Sequence, residues 1–511
     1  MSQLRARAKK IEWIIRIAGR AMLGLWLSAA CSLAQSQPAA DESLEVKVRQ
    51  LTDALSKAQK QIEQSQRELD ELRAQMTALQ QQIASANPGA SESDSARLSA
   101  AVDQIREQQA LEQTQIATHE QAKVESESKF PLKVSGLVLL TGFVNTALVD
   151  NPISPSIVLA GGGSTGASMR QTVLGLDARG PHLFNAQTHA DVRVDFDGGA
   201  VSAGTTANAY PEGLLRLRTA HADLEWDHTQ VFFALDRPIV SPNTPTSFTA
   251  VAVPALGWSG NLWTWNPQVG VRQDFPLPGA QRFRTQAALI DVMNPVQIYA
   301  GSSSSTTPIT TPTTAEMSRW PGAEGRLALL GGAEDSGLQL GAGGLFVPHQ
   351  SIGGTRFNSW AGTLDYRIPL AAHAAISGSG YWGAALGGLG GGAFKDYVIA
   401  PDPLSPIGYS FENLHALGGW TQFKARVNQQ LEFNAALGTD QVPASELRPY
   451  AGSVTAYYLN LARSLTYTGN VIYRPSAYLT FSLEYRHLQS SPVNNYSTTG
   501  HIIGIATGYS F

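Results

Sequence analysis

Polar and apolar residues alternate with a period of two through most of the chain after residue 131, and the last twelve residues show the pattern most clearly. From Gly500 to Phe511 the odd positions carry mainly large apolar and aromatic side chains, and the even positions carry small ones. A period of two is the signature of a β-strand. A core strand of a soluble sheet and a wall strand of a membrane barrel both fit this segment alone.

The same alternation predicts sixteen strands. Short turns and long loops rich in Ser, Thr, Pro and Gly alternate between them, as in outer-membrane β-barrels. Residues 452–474 contribute one crossing, because a seventeenth strand would break this alternation. No repeating sequence unit supports a propeller or solenoid. The strands are predicted at 132–147, 169–179, 188–197, 215–227, 230–237, 267–275, 281–290, 324–332, 337–346, 356–367, 372–382, 416–428, 430–438, 463–474, 477–488 and 500–511.

Charged residues identify the wet face of several strands. Asp191, Arg193 and Asp195 alternate with Val192 and Val194. A charge on the lipid face of a barrel costs about 2–4 kcal/mol near the bilayer midplane, so we expect such residues to face a water-filled lumen. The predicted pore-lining residues are Arg193, Asp195, Arg216, Arg218, Arg272, Arg284, Lys424, Arg426, Glu484 and Arg486.

One predicted strand, 215–227, changes polarity halfway. Arg216 and Arg218 share a face with Ala220, whereas His221 and Asp223 lie on the other face. A β-bulge would explain the change, and so would an outer face covered by protein. This region is therefore also a candidate subunit contact.

A barrel of sixteen strands is too wide for its own side chains to fill. The long segment 238–266 lies between the fifth and sixth predicted strands. It is either a surface loop or a constriction loop folded into the lumen, and the family resemblance given below favours the constriction loop.

The N-terminus has the layout of a secretory signal peptide over residues 1–34. Basic residues precede a short apolar run and a small-residue exit, with cleavage expected after Ala34. Lipidation at Cys31, the only cysteine, is the alternative. No apolar run after residue 34 is long enough for a helical span, so any membrane crossing has to use strands.

Residues 35–86 carry a heptad repeat. Apolar positions from Leu44 to Ile83 step by four and three, with Ser65 as the polar exception. This pattern predicts a coiled coil about 60 Å long, followed by a helical or flexible linker over 87–131 and the barrel over 132–511. Without residues 1–34 the chain has 31 basic and 40 acidic residues, and this formal net charge of −9 argues against a general affinity for nucleic acid.

The order of these elements resembles the trimeric outer-membrane porins, most closely the DcaP-like branch with a periplasmic coiled coil. The resemblance covers nearly the whole chain. Its local carriers are segments such as Met169–Leu176, Ala190–Phe196 and Leu215–Ala220, with Tyr473–Ser476 ahead of Leu483–Tyr485. It implies a homotrimer in the bacterial outer membrane that admits small hydrophilic solutes, including negatively charged ones such as dicarboxylates. A terminal aromatic residue, here Phe511, also resembles the insertion signal of such barrels.

Several alternatives remain open at the level of sequence. The lumenal arginines form an anion path, or they pair with the acidic residues on the same faces. The coiled coil assembles the trimer, or it tethers the barrel towards peptidoglycan, as an adhesin or envelope tether would. A hydrolase built on His221, Asp223 and Ser247 is a further alternative, but the Gly162–Gly166 match to Gly-x-Ser-x-Gly falls in an expected loop. The sequence predicts no catalytic residue, cofactor or metal site.

Overall fold

A computed structural model of the chain describes residues 132–198, 214–292, 312–333, 336–351, 354–401, 404, 408–452 and 460–511. The predicted signal peptide, coiled coil and linker lie outside these ranges. Within the described ranges there are two short α-helices, α1 (Thr314–Ser318) and α2 (Ala444–Leu447). No described helix is long and apolar enough to cross a membrane.

Strands make up most of the described chain. They are β1 (Leu132–Val149), β2 (Val158–Ser168), β3 (Val173–Arg179), β4 (Gln187–Asp195), β5 (Arg216–Glu225), β6 (Thr229–Asp236), β7 (Asn266–Pro276), β8 (Gln281–Ile290), β9 (Gly322–Gly331), β10 (Leu338–Gln350), β11 (Arg356–Ala371), β12 (Ala374–Ala384), β13 (Tyr397–Pro401), β14 (Tyr409–Asn413), β15 (His415–Arg426), β16 (Leu431–Gln441), β17 (Leu461–Tyr473), β18 (Leu479–Pro492) and β19 (Thr498–Ser510).

The strands form one closed antiparallel barrel. Strand β1 pairs with β19 from Leu137 opposite Ser510 to Asn145 opposite Ile502. It also pairs with β2 along its second half and with β3 along its first half. Strands β2 and β3 are therefore two halves of one crossing, and β13 and β14 form a separate hairpin. The barrel has sixteen crossings, which confirms the number predicted from the sequence.

The expectation of a loop at Gly162–Gly166 is wrong, because these residues lie inside β2. Their glycine content suggested a loop, but at least one of these glycines lies where two strand backbones approach each other closely. A Cβ atom on Gly163 would lie 2.0 Å from the carbonyl oxygen of Asn145 on β1. The chain leaves the ladder only at residues 169–172, between β2 and β3.

The barrel is apolar outside and polar inside. Along β16, Phe433 and Leu437 are exposed on the outer face, whereas Glu432, Asn434 and Asp440 are buried on the inner face. Soluble proteins rarely bury charged residues in this way while exposing large apolar ones. The arrangement is that of a barrel whose outer face meets lipid and whose lumen is polar.

A β-bulge in β5 explains the change of polarity seen in the sequence. Arg193 on β4 lies opposite Thr219, but Val194 lies opposite Leu217, which leaves Arg218 without a partner residue on β4. The extra residue reverses the alternation of the strand. Arg216, before the bulge, and His221, after it, consequently both have acidic partners on the lumenal side.

Candidate functional site

The segment between β6 and β7, Arg237–Trp265, runs through the lumen and is called the inner loop below. Its first contact with the far wall is made by Asn243. The Nδ2 atom of Asn243 donates a hydrogen bond to the carbonyl oxygen of Tyr366 at 3.2 Å. Its Oδ1 atom accepts bonds from Gln339 at 3.2 Å and from Arg367 at 3.3 Å. Within a few residues of β6 the chain has therefore crossed to β10 and β11.

The middle of the inner loop is held by strands β15, β17 and β18. The backbone N–H of Thr246 donates to Gln422 Oε1 at 2.6 Å, and Asn470 Nδ2 donates to the carbonyl oxygen of Thr246 at 2.8 Å. Ser247 Oγ donates to Glu484 Oε2 at 2.6 Å. Glu484 is buried, and a hydrogen bond to a buried carboxylate is stronger than one between neutral groups.

Gln171, in the break between β2 and β3, holds the next part of the inner loop. Its Nε2 atom donates to the carbonyl oxygen of Thr249 at 3.0 Å. Its Oε1 atom accepts the N–H groups of Val251 at 2.7 Å and Ala252 at 3.1 Å. One fully buried side chain thus binds three backbone groups of the loop.

The inner loop then turns back towards β16 and β17. Ser259 Oγ lies 3.1 Å from Ser464 Oγ and 2.8 Å from Thr466 Oγ1. Gly260 follows with a φ of +99°, and a Cβ atom there would lie 2.2 Å from the carbonyl oxygen of Gly419 on β15. Only glycine fits this position, because it has both a positive φ and no room for a side chain.

A second segment folds into the barrel between β12 and β13. This glycine segment, Ala385–Asp396, contains the 3-10 turns Gly387–Leu389 and Gly392–Phe394. Asp396 Oδ1 accepts the N–H groups of Gly387 and Gly388, and burial raises the pKa of Asp396 to about 7. Lys395 Nζ donates to the carbonyl oxygens of Ala393 at 2.6 Å and Leu461 at 2.8 Å, and burial lowers its pKa to about 7.

The glycine segment also joins the wall and the inner loop. Asp440 on β16 accepts the N–H group of Ala393 at 2.6 Å and the hydroxyl of Tyr381 at 2.8 Å. The N–H of Trp263 donates to the carbonyl oxygen of Leu389 at 3.0 Å, and Thr264 Oγ1 donates to that of Gly388 at 2.8 Å. The two segments therefore form one connected layer inside the barrel.

This layer covers one side of the inner wall. Glu324 on β9, Asp365 on β11 and Glu484 on β18 are 5%, 2% and 2% exposed. On the opposite side, the side chains of His189 and Asp236 are each 36% exposed. Lumenal side chains therefore remain accessible on β4 and β6, and Arg426 on β15 is 60% exposed.

A cavity of about 350 Å³ opens beneath the inner loop, at the end of the barrel that carries the short turns. It is strongly basic, and none of its lining residues among those described carries a carboxylate. Lys424 and Arg426 lie 3.6 Å and 3.2 Å from Glu432, outside the lining. The basic lining residues are Arg237, Arg367, His373, Lys424 and Arg426.

Arg237 stands out among these groups. Its Nη1 atom is buried and, in the described part of the chain, has no hydrogen-bond partner. Burial lowers the pKa of Arg237, and Asp236 partly offsets this effect. An anion entering the cavity would supply the missing acceptor.

The predicted pore-lining residues fall mostly into ion pairs with acidic neighbours. Arg216 binds Asp195 through two bonds of 2.9 Å and 2.7 Å. Within the described ranges, Arg218 is the exception: its guanidinium lies over the ring of Trp265 at 5.2 Å, and Arg216 lies over the same ring at 5.1 Å. The remaining pairs are Arg193 with Asp177, Arg272 with Glu225, Arg284 with Asp274, Lys424 and Arg426 with Glu432, and Arg486 with Glu484.

The residues of the hydrolase alternative take other partners. His221 Nδ1 lies 3.1 Å from Asp191 Oδ2, and His221 Nε2 lies 3.1 Å from Asp236 Oδ2. Ser247 binds Glu484 instead. A Ser, His and acid relay needs the serine hydroxyl within reach of the imidazole, and these contacts do not provide it.

Sequence patterns missed Gln171, Asn243 and the glycine segment. The predicted strand 169–179 wrongly included Gln171, because residues 169–172 lie outside the ladder and β3 begins at Val173. Asn243 lies in the inner loop, so the alternation of polar and apolar residues applies to neither residue. The glycine segment has a local signal in the run Gly387–Gly392, where five of six residues are glycine. Such a run permits the unusual backbone angles and close packing seen here.

No protein-family model matches the chain, and no curated protein sequence matches it significantly. Among solved structures, the outer membrane channel DcaP of Acinetobacter baumannii is similar over 76% of this chain and 99% of that chain, with 16% identity and a TM-score of 0.55. This chain therefore has the fold of an outer-membrane channel. An anion-selective porin from Comamonas acidovorans covers 75% of this chain and 100% of its own, with 10% identity and a TM-score of 0.46. OmpF of Salmonella typhi covers 75% and 98%, with 12% identity and a TM-score of 0.45.

Proposed function

We propose that the protein is a porin of the bacterial outer membrane that allows small hydrophilic solutes to diffuse through its lumen. One observation carries the proposal: a closed sixteen-crossing barrel has an apolar outer face, a charged inner face and an inner loop bonded to the far wall. A purely structural barrel would have no need of a loop that narrows its lumen. The fold shared with an outer-membrane channel supports the same conclusion.

The inner loop and the glycine segment are the constriction in this proposal. Solutes pass along β3 to β7, where lumenal side chains remain accessible. Arg193, Arg216, Arg218 and Arg272 line this route. The sequence placed Asp195, Glu484 and Arg486 in the pore as well, and in the proposal they hold the wall and the inner loop in position.

The channel favours anions, including small organic acids. The basic lining of the cavity and the buried Nη1 atom of Arg237, which has no hydrogen-bond partner in the described part of the chain, support this preference, because a buried cationic group without an acceptor attracts negative solutes. The paired arginines contribute less, since nearby carboxylates offset their charge. This preference is a refinement of the porin proposal and is tested separately from it.

The assembly is proposed from the sequence resemblance. The chain forms a homotrimer with the coiled coil of residues 35–86 in the periplasm. Crosslinking of purified protein with and without residues 40–90 tests this assembly: loss of trimers with conductance retained supports an assembly role for the coiled coil. Unchanged trimers with a weakened cell envelope support tethering towards peptidoglycan.

Reconstitution in a planar lipid bilayer tests the function itself. The proposal predicts stepwise current increases when folded protein inserts, and a reversal potential of the sign for chloride preference under a KCl gradient. Conductance with cation preference would retain the porin and reject the anion route. Folded protein without conductance would reject the porin.

A further inference from the structure

Strands β3, β4 and β5 bring two histidines and three aspartates together on the lumenal wall. The register places Asp177 opposite Asp191, and Asp191 opposite His221. His189 follows one alternation nearer to the short-turn end, opposite Asp223. Directly opposed residues of antiparallel strands have Cβ atoms about 5 Å apart. The ladder therefore holds these groups in place without any contribution from a flexible loop.

The donor atoms of three of these residues form a compact group. One ligand atom each from Asp177, His189 and Asp191 lie within 4.8 Å of one another. Asp223 Oδ2 is 3.6 Å from His189 Nδ1. A zinc ion binds imidazole nitrogen and carboxylate oxygen at about 2.0–2.2 Å. Binding would require the side chains of Asp177, His189 and Asp191 to rotate until their ligand atoms lie at such distances from one ion.

We propose that Asp177, His189 and Asp191 form a binding site for a divalent transition-metal ion such as Zn²⁺, with Asp223 as a further ligand. The imidazole of His189 indicates which class of metal ion the site would bind. Imidazole suits Zn²⁺ and its neighbours in the transition series, whereas Mg²⁺ and Ca²⁺ prefer sites built from oxygen alone. The site is reached from the lumen, because the side chain of His189 is 36% exposed and that of Asp177 is 25% exposed.

Basic side chains already contact the two carboxylates: His221 Nδ1 lies 3.1 Å from Asp191 Oδ2, and Arg193 contacts both Asp177 and Asp191. The Nη2 atom of Arg193 lies 2.6 Å from Asp177 Oδ1, and its Nη1 atom lies 3.6 Å from Asp191 Oδ1. The guanidinium and a metal ion compete for the same two carboxylates. Metal binding releases Arg193 from Asp177 and adds positive charge to the accessible side of the lumen.

A residue outside the ligand set gives the proposal its control. His373 lines the basic cavity elsewhere in the lumen. Substitution of His373 removes an imidazole without changing the metal site.

The test measures binding directly and so does not depend on transport. Purified full-length protein in detergent is dialysed against Zn²⁺, and the absorption spectrum of bound Co²⁺ reports the ligand type independently. We expect His189→Ala and Asp177→Asn to weaken Zn²⁺ binding about tenfold or more. Arg193→Gln should tighten binding, because it removes the competing cation, and His373→Ala should leave binding unchanged.

Two results would overturn the proposal. The first is equal Zn²⁺ affinity of the wild type and His189→Ala. The second is displacement of Zn²⁺ by an equal concentration of Mg²⁺, which would indicate general attraction of cations to acidic residues. If His189→Ala does not fold, as judged by heat-dependent gel mobility, Asp177→Asn and Arg193→Gln decide the question. A change of affinity in the same direction for both variants contradicts the site.

Discussion

Ser247, in the middle of the inner loop, donates a hydrogen bond of 2.6 Å to the buried carboxylate of Glu484 on β18. The loop leaves the wall at β6, so this bond joins two sides of the lumen. Asn470 Nδ2 lies 3.2 Å from the same carboxylate oxygen, and Arg486 lies 2.6 Å from the other one. Glu484 therefore ties the loop to a polar network that spans two strands.

Glu484→Gln should loosen the inner loop. A hydrogen bond to a charged group contributes about 1.5–3 kcal/mol, and the amide also leaves Arg486 without its carboxylate partner. We expect a larger and noisier single-channel current with the barrel intact. Ser482→Ala is the matched control, because the buried hydroxyl of Ser482 has no hydrogen-bond partner in the described structure. Identical currents from Glu484→Gln and wild type would show that this bond does not hold the loop.

Gln171→Leu should release the part of the inner loop near Thr249. The substitution leaves two backbone N–H groups and one carbonyl oxygen without partners, and each buried unsatisfied group costs about 1–3 kcal/mol. Hydrogen exchange at Val251 and Ala252 should accelerate, while exchange in β16 to β18 stays slow. Gln281→Leu, at an exposed position at the start of β8, serves as the control. Unchanged exchange at Val251 would contradict the anchoring role of Gln171.

Gly260→Ala should disturb the inner loop more than a glycine substitution on the barrel exterior. The new Cβ atom would meet the Gly419 carbonyl oxygen at 2.2 Å, in a backbone conformation that alanine disfavours. Gly362→Ala is the comparison, since a Cβ atom there has no neighbour within 4 Å. We expect altered conductance for Gly260→Ala alone. The same conductance in both variants would mean that the inner loop accommodates the new Cβ atom without any change in the channel, which would contradict the prediction.

The glycine segment should depend on pH through Asp396. Burial raises the pKa of this carboxyl from 3.8 to about 7, so the folded segment binds more protons than the released segment between these values. The contribution of Asp396 to the stability of the segment therefore falls as the pH rises from about 4 to 7. Above pH 7 the contribution of Lys395 to the stability of the segment rises with pH, because its pKa is lowered from 10.5 to about 7 in the folded segment.

Hydrogen exchange of Gly387 and Gly388, corrected for intrinsic rates, measures this effect. Protection should decrease between pH 5 and 7 in the wild type and change less in Asp396→Asn. The rise expected above pH 7 should persist in Asp396→Asn, since Lys395 remains. If protection of Gly387 and Gly388 changed equally with pH in both proteins below pH 7, a group other than Asp396 would be responsible.

The barrel could be predicted from the sequence because the alternation of polar and apolar residues that marks each strand is a local pattern. Alternation along each strand gave sixteen crossings, and the reversed polarity around Arg218 indicated the bulge that the register of β4 and β5 shows. The inner layer could not be predicted in this way. Ser247 and Glu484 are 237 positions apart, and Gln171 and Thr249 are 78 apart. No periodicity connects such pairs, so only the folded chain reveals them.

The candidate site could be predicted only in part, because strand alternation shows which face a residue lies on but not which residue it pairs with. Strand alternation placed Arg193, Arg216 and Arg272 on the inner face, but it carried no information about which arginines have carboxylate partners. The structure pairs these three with Asp177, Asp195 and Glu225. Arg237 belongs to a loop and was not among the expected residues, although it lines the basic cavity.

The decisive experiment is to measure the reversal potential of the reconstituted channel under a KCl gradient for wild type and Arg237→Gln. We expect stepwise conductance, a wild-type potential of the sign for chloride preference, and a shift towards zero in Arg237→Gln. Arg319→Gln, an exposed residue that follows α1, should behave as wild type. The absence of conductance from folded wild-type protein would contradict the account.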